Sequence, residues 1–211
     1  MRIPGIYRDE RGSETIVFET DGTFLETTIR SVTFEGDDFD SLESEEESEF
    51  FSYWKGTLCR CKFILEIPVR LATPDGMRRS VLMATIELGA PGPRGGLDDE
   101  RIQVSWIESE FSIESPGHSG WFEDELLSLI NSLPEGFAMQ ACITCGLSDY
   151  SPYGHGSFGS LACFRDAASD YRDVDSKEGI FAVWDRLTDF VQETHLCDQY
   201  ELRPKGRGYR G

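Results

Sequence analysis

Cys59-Arg60-Cys61-Lys62-Phe63-Ile64-Leu65-Glu66-Ile67-Pro68-Val69-Arg70-Leu71 decides the fold class, because its two sets of alternate residues differ in kind. The odd positions are Cys59, Cys61, Phe63, Leu65, Ile67, Val69 and Leu71, and the even ones include Arg60, Lys62, Glu66 and Arg70. Successive side chains of an extended chain point to opposite faces, so this period of two predicts a strand with one buried and one wet face. Cys59 and Cys61 fall on the apolar face, which reads them as core residues before metal ligands.

The pattern continues outward. Thr73-Pro74-Asp75-Gly76 is a turn, since Pro presets φ and Gly tolerates a positive one. A return strand from Arg79 to Gly89 alternates Leu82, Ala84, Ile86 and Leu88. A Gly/Pro loop, Gly89 to Gly96, leads to a strand over Arg101 to Phe111 with Ile102, Val104 and Trp106 on one side. Upstream, Asp21-Gly22 separates strands over Ser13 to Glu19 and Phe24 to Phe34, a hairpin signal. Residues 1–114 therefore predict an antiparallel sheet of about five strands with one face covered.

The character changes near Ser115-Pro116-Gly117. Phe122, Leu126, Ile130 and Leu133 recur at helical spacing, with Glu123, Asp124 and Glu125 in the first turn, where the helix dipole favours acids. Pro134 and Gly136 stop that helix. Phe137 to Cys142 reads as a short strand. A second helix is expected over Ser176 to Glu193, with Ile180, Trp184, Leu187 and Val191 as its inner stripe and Ser176 as its cap. The fold class is α+β: an N-terminal antiparallel β-sheet, 1–114, then a smaller Cys-rich α/β half with a four-cysteine metal staple, 115–211, as two units or one continuous domain.

The charge is lopsided: 39 acidic and 20 basic residues give a net charge of −19. Such a surface repels phosphate backbones and disfavours nucleic acid. It suits a basic protein partner, whose encounter opposite charge accelerates, or simply solubility. Asp37 to Glu49 carries eight carboxylates and no basic residue. It predicts a mobile, solvated loop, and lacks the spacing of a calcium loop. Met1 to Gly12 is polar, without the apolar stretch of a secretory signal, and no run approaches the ~18 apolar residues of a membrane span. The expected compartment is the cytoplasm, where cysteines are metal ligands or core residues before they are disulfides.

The chemistry-bearing residues lie in the second half. Cys142-Ile143-Thr144-Cys145-Gly146 has the shape of a zinc knuckle, in which two thiolates turn toward one ion and the glycine lets backbone N–H groups approach sulfur. Seventeen residues separate Cys145 from Cys163, and 33 separate Cys163 from Cys197. Together the four make a candidate structural zinc site with an all-thiolate ligand set, and His155 and His195 are possible substitute ligands. A redox dithiol and unliganded core thiols are the alternatives. Zinc is preferred to an iron–sulfur cluster, whose spacings do not match. The loop Ser148 to Gly159 formally contains Gly-x-Gly-x-x-Gly, but it follows no strand-to-helix turn, so a dinucleotide site is rejected. It reads as an ordered lid, or as a binding surface built from Asp149, Tyr150, Tyr153 and His155. Asp149 with His155 could form an acid–base pair, whereas His118 beside Ser119 is no triad. The basic tail, Arg203 to Arg210, is expected to fold back onto acidic neighbours.

Cys142-x-x-Cys145, the run Ser148-Asp149-Tyr150-Ser151-Pro152-Tyr153-Gly154, Cys163-Phe164-Arg165, Glu193-Thr194-His195-Leu196-Cys197 and Gly208-Tyr209-Arg210-Gly211 together resemble an uncharacterised bacterial family, a domain of unknown function. The resemblance covers Ala141 to Gly211 and brings no activity and no catalytic residue. It implies that the four cysteines belong to one motif set, which favours metal. The expected function is a non-enzymatic, acidic protein-binding module with a structural zinc, of the kind an immunity-type antidote to a basic toxin would be. The alternative is a metal- or thiol-dependent enzyme using the Ser148–Gly159 loop.

Overall fold

The computed structural model describes residues 1–154 and 156–209. Its centre is β7 (Cys61–Thr73), which pairs along its whole length with β8 (Gly76–Leu88) across the Pro74-Asp75 turn. The other edge of β7 is shared. β1 (Arg2–Asp9) takes its first part, with Leu65 opposite Gly5, and β11 (Ala138–Gln140) takes its end, with Leu71 opposite Met139. β2 (Gly12–Thr20), β3 (Leu25–Ile29) and β4 (Val32–Gly36) extend the sheet beyond β1. β9 (Glu100–Ile107) and β10 (Ser112–Glu114) extend it beyond β8. The result is a nine-stranded antiparallel sheet, with a small hairpin of β5 (Ser52–Trp54) and β6 (Thr57–Cys59) beside it.

The alternation in β7 does what it predicts: Cys61, Phe63, Leu65, Ile67, Val69 and Leu71 are all buried, and so is Cys59. Arg60 between the two thiols has φ 51°, so the strand breaks there into β6 and β7. The sheet has more than five strands. β1 was hidden because Pro4 and Gly5 interrupt it and only Ile3 and Tyr7 are fully buried. The expected strand over Phe24 to Phe34 is a hairpin. Arg30 and Ser31, at φ 48° and 68°, make a two-residue turn of the kind that usually carries Asn or Gly.

The acidic stretch is solvated only in its second part. Phe39 and Leu42 are fully buried, and Asp38 caps a 3₁₀ turn over Phe39–Ser41. Glu35 and Glu43 exchange backbone hydrogen bonds, while Glu45, Glu46, Glu47 and Glu49 are exposed. Two large apolar side chains outweigh the repulsion of their neighbours, at roughly 2 kcal/mol for each buried side chain.

α1 (Phe122–Asn131) lays Phe122, Leu126 and Leu129 on the sheet. After β11, a 3₁₀ turn over Cys142–Thr144 leads to a three-stranded sheet of β12 (Ser148–Tyr150), β13 (Leu161–Cys163) and β14 (Asp189–Val191), with α2 (Ala168–Tyr171) and α3 (Lys177–Val183) between the last two. The expected helix over Ser176 to Glu193 is therefore shorter. Ser176 does cap α3, accepting the Gly179 N–H, but Leu187 turns extended and Phe190 pairs with Ala162. The large core draws on both halves, from Ile3 to Val191, and a smaller one gathers Cys145, Leu147, Phe164, Tyr171, Val174 and Ile180. Among the described residues no helix is long and apolar enough to cross a membrane.

Candidate functional site

Backbone hydrogen bonds bring the four candidate cysteines into one neighbourhood. The Cys142–Thr144 turn closes on itself, Cys145 N donating to Cys142 O at 3.0 Å. It is held between the two chain segments that flank Cys197. On one side Cys142 N donates to His195 O (2.6 Å) and Ile143 N to Glu193 O (3.0 Å). On the other, Gly146 N donates to Glu201 O (2.7 Å) and Arg203 N to Thr144 O (3.0 Å). Cys163 arrives through the β12–β13 register, opposite Ser148, whose hydroxyl donates to Cys142 O.

Cys142, Cys145 and Cys163 are buried and Cys197 is half-buried; all six cysteines of the chain are free. Burial pushes the Cys142 thiol up, and Cys145, Cys163 and Cys197 add to the push. Cys145 and Cys163 are raised by burial too, and each also feels Cys197. Two sulfurs accept hydrogen bonds as a knuckle requires. Leu147 N donates to Cys145 Sγ at 3.4 Å, and the backbone of Arg165 donates to Cys163. The thiols are gathered without being closed on a point: among the described residues no three His, Cys, Asp or Glu side chains stand close enough to hold one metal ion. The donor set, four soft sulfurs with N–H support, is of the kind zinc takes. The candidate substitute His195 turns its ring onto Gly22, and burial lowers its pKa. His155 lies outside the described residues, as do Arg210 and Gly211.

Of the candidate binding residues, the described three, Asp149, Tyr150 and Tyr153, differ in exposure and do not share one surface. Asp149 is fully buried; its carboxylate accepts the Tyr171 hydroxyl (2.7 Å) and Tyr209 N (2.5 Å) and so anchors the C-terminal segment. That segment does fold back, with Arg203 donating to Ser148 O and Arg207 to Arg172 O. Tyr150 is half-buried in a groove beside α1. Tyr153 is 70% exposed and meets Phe181 and Trp184 edge-on, at centroid distances of 5.3 and 5.4 Å. Trp184 in turn meets Phe190 at 6.1 Å, and Phe181 and Phe190 are each 42% exposed.

Phe190 also lines a 430 Å³ pocket that the sequence did not reveal. Asp37, Asp38 and Asp189 share its wall with Ser151, Ser160, Gly154, Gly156 and Gly159. Asp38 accepts Phe39 N (2.6 Å) and the Ser157 hydroxyl, and its other oxygen lies 2.4 Å from where a Cβ on Gly156 would be. Burial, then the charge of Asp40, pushes Asp38 up to about 8. Glu193, fully buried behind, accepts Gly159 N (2.8 Å) and Ser160 N (3.3 Å). Of the glycines that look like a nucleotide motif, Gly156 lets the Asp38 carboxylate approach the backbone, and Gly159, at φ 77°, lets the Asp37 backbone carbonyl approach. Phe39 and Leu42, apolar residues inside an acidic run, were the one available sign that this run is pinned to the core.

Residues 1–148 match the model of DUF6304, a family of unknown function. The match covers the large sheet and ends within the cysteine turn region, so most of the motif set from Ala141 onward lies beyond it. No curated protein and no solved structure matches the chain.

Proposed function

The chain belongs to DUF6304, a family of unknown function, and from its own side chains we propose that it is a non-enzymatic, acidic protein-binding module whose C-terminal part is stapled by a structural zinc on Cys142, Cys145, Cys163 and Cys197. The single observation that carries the binding reading is the cluster of exposed Tyr153, Phe181 and Phe190 around the half-buried Trp184, running into an acid-lined pocket. Aromatic side chains offer large contact area at low entropic cost and are enriched at interface hot spots, and a net charge of −19 selects a basic partner. A basic toxin neutralised by this chain would be one such partner; charge is all that supports that finer reading. The zinc reading draws on the gathering of four thiols and on the N–H donors at two of the sulfurs.

The enzyme alternative has less behind it. A nucleophilic thiol needs a lowered pKa, and burial moves Cys142, Cys145 and Cys163 the other way. The decisive test is titration of a lysine- and arginine-rich peptide of about 20 residues in steps of salt. Binding that weakens with salt and falls about tenfold in a Tyr153→Ser, Trp184→Ala double variant is expected. Equal affinity in the double variant would overturn the assignment of this face.

A further inference from the structure

Three features of the pocket under Phe190 say what should enter it. The first is charge: the exposed carboxylates of Asp37 and Asp189 line it beside the buried Asp38, and among the described residues no Lys or Arg lines it. The second is an acceptor: the Ser160 hydroxyl is buried and has no hydrogen-bond partner among the described residues. The third is an aromatic wall at the mouth, made by the half-exposed ring of Phe190. One ring of the adjoining cluster, Phe181, already shares a cation with Tyr209. Lys177 Nζ sits 5.8 Å over Phe181 and 5.9 Å over Tyr209.

We infer that this pocket is the seat of an arginine side chain presented by the basic partner. The inference rests on the protein-binding reading and gives it a ligand chemistry. A guanidinium is flat and can stack on Phe190 while its edge donates to Asp37, Asp189 and Ser160; an ammonium is a compact, strongly hydrated point charge that cannot do both. A volume of 430 Å³ admits the side chain with its stem, and is far larger than a bare metal ion needs.

The test uses N-acetyl-arginine amide, the lysine analogue and the neutral citrulline analogue, each titrated into the full chain while backbone amide NMR shifts are followed. Arginine should move the Gly156, Gly159 and Ser160 amides, lysine should bind several-fold more weakly, and citrulline should leave them unmoved. Asp37→Asn with Asp189→Asn, both at the surface of the pocket, should weaken arginine at least tenfold without changing the rest of the spectrum. Lysine or citrulline binding as well as arginine, shifts confined to other regions, or Ca²⁺ displacing arginine from these amides would overturn the assignment. The two readings fail separately. If the basic peptide binds wild type and the Asp37→Asn, Asp189→Asn variant alike, the pocket assignment falls and the module stands. If arginine amide moves Gly156 but the peptide does not bind, the pocket stands and the module falls.

Discussion

Asp38 shows how a single residue can set the pH response of the fold. Its carboxyl is raised from the ordinary 3.8 to about 8, first by burial and then by Asp40. A group held protonated in the folded state contributes fully below its unfolded pKa, and that contribution is lost as pH rises through the folded one. Stability should therefore decline between about pH 4 and pH 8. Asp38→Asn keeps an acceptor for Phe39 N and removes the ionisation. Urea midpoints of the variant should be flatter across that range by at least ~1 kcal/mol, since one unit of pKa is worth ~1.4 kcal/mol; an unchanged slope would show that Asp38 does not titrate there. Gly22 supplies a second case. Its φ is 106°, and an added Cβ would lie 2.3 Å from His195 Nδ1. Gly22→Ala should cost roughly 2 kcal/mol in urea unfolding, from backbone strain and displacement of the imidazole. Neither residue could be singled out for this from the chain alone: Asp38 sits in a run of acids, and the Gly22–His195 contact joins residues at opposite ends of the sequence.

At the scale of elements, α1 is held at its start by Glu125. Burial opposes its charge, but the Ser119 hydroxyl and the N–H groups of Gly117, His118 and Ser119 all donate to it, and together they bring its pKa down to about 2. A lowered carboxylate contributes stability above its unfolded pKa, about 4.3, and loses it as pH falls toward about 2. Glu125→Gln should cost ~2 kcal/mol at about pH 7 by urea unfolding, and the loss should shrink below about pH 4. A loss that stays constant with pH would assign the effect to shape and leave charge out of it. The sequence reading placed Glu125 correctly in the first turn and saw only the helix dipole, because the loop that caps onto it is recognisable only once folded. Strands β7, β8 and β9 were legible for a simple reason: one face is buried along their length, and hydrophobicity repeats every second residue. β14 was not. Ile180, Trp184, Leu187 and Val191 fit a helical stripe as well as they fit α3 followed by a strand, and pairing with β13 decided between the two.

Over the whole molecule, the cysteines sit where the two cores meet. Cys142 and Cys163 belong to the large core, and Cys145 to the small one with Leu147, Phe164, Tyr171, Val174 and Ile180. The turn that sets Cys142 and Cys145 side by side was readable from the chain, and that Cys163 and Cys197 join them on one ion was an expectation. The route that gathers them, through β12, β13 and the segments flanking Cys197, was not readable, since it depends on short strands of three residues each. A zinc ion on all four would tie the small core to the large sheet, and its binding free energy would go into that junction. The purified chain should then carry about one zinc, and Cys145→Ser or a strong chelator should remove it. Removal should lower the melting temperature by at least ~10 °C, taking a few kcal/mol of lost stability at ~2–4 °C each for a chain of this size. The damage should also be local. Limited proteolysis should cut first between Phe164 and Thr188, around α2 and α3, while the sheet from β1 to β9 resists. Metal-free protein that melts and resists protease as the purified chain does would remove the staple from the account. The small core would then be held by its own apolar packing and by the Asp149 anchor of the C-terminal segment.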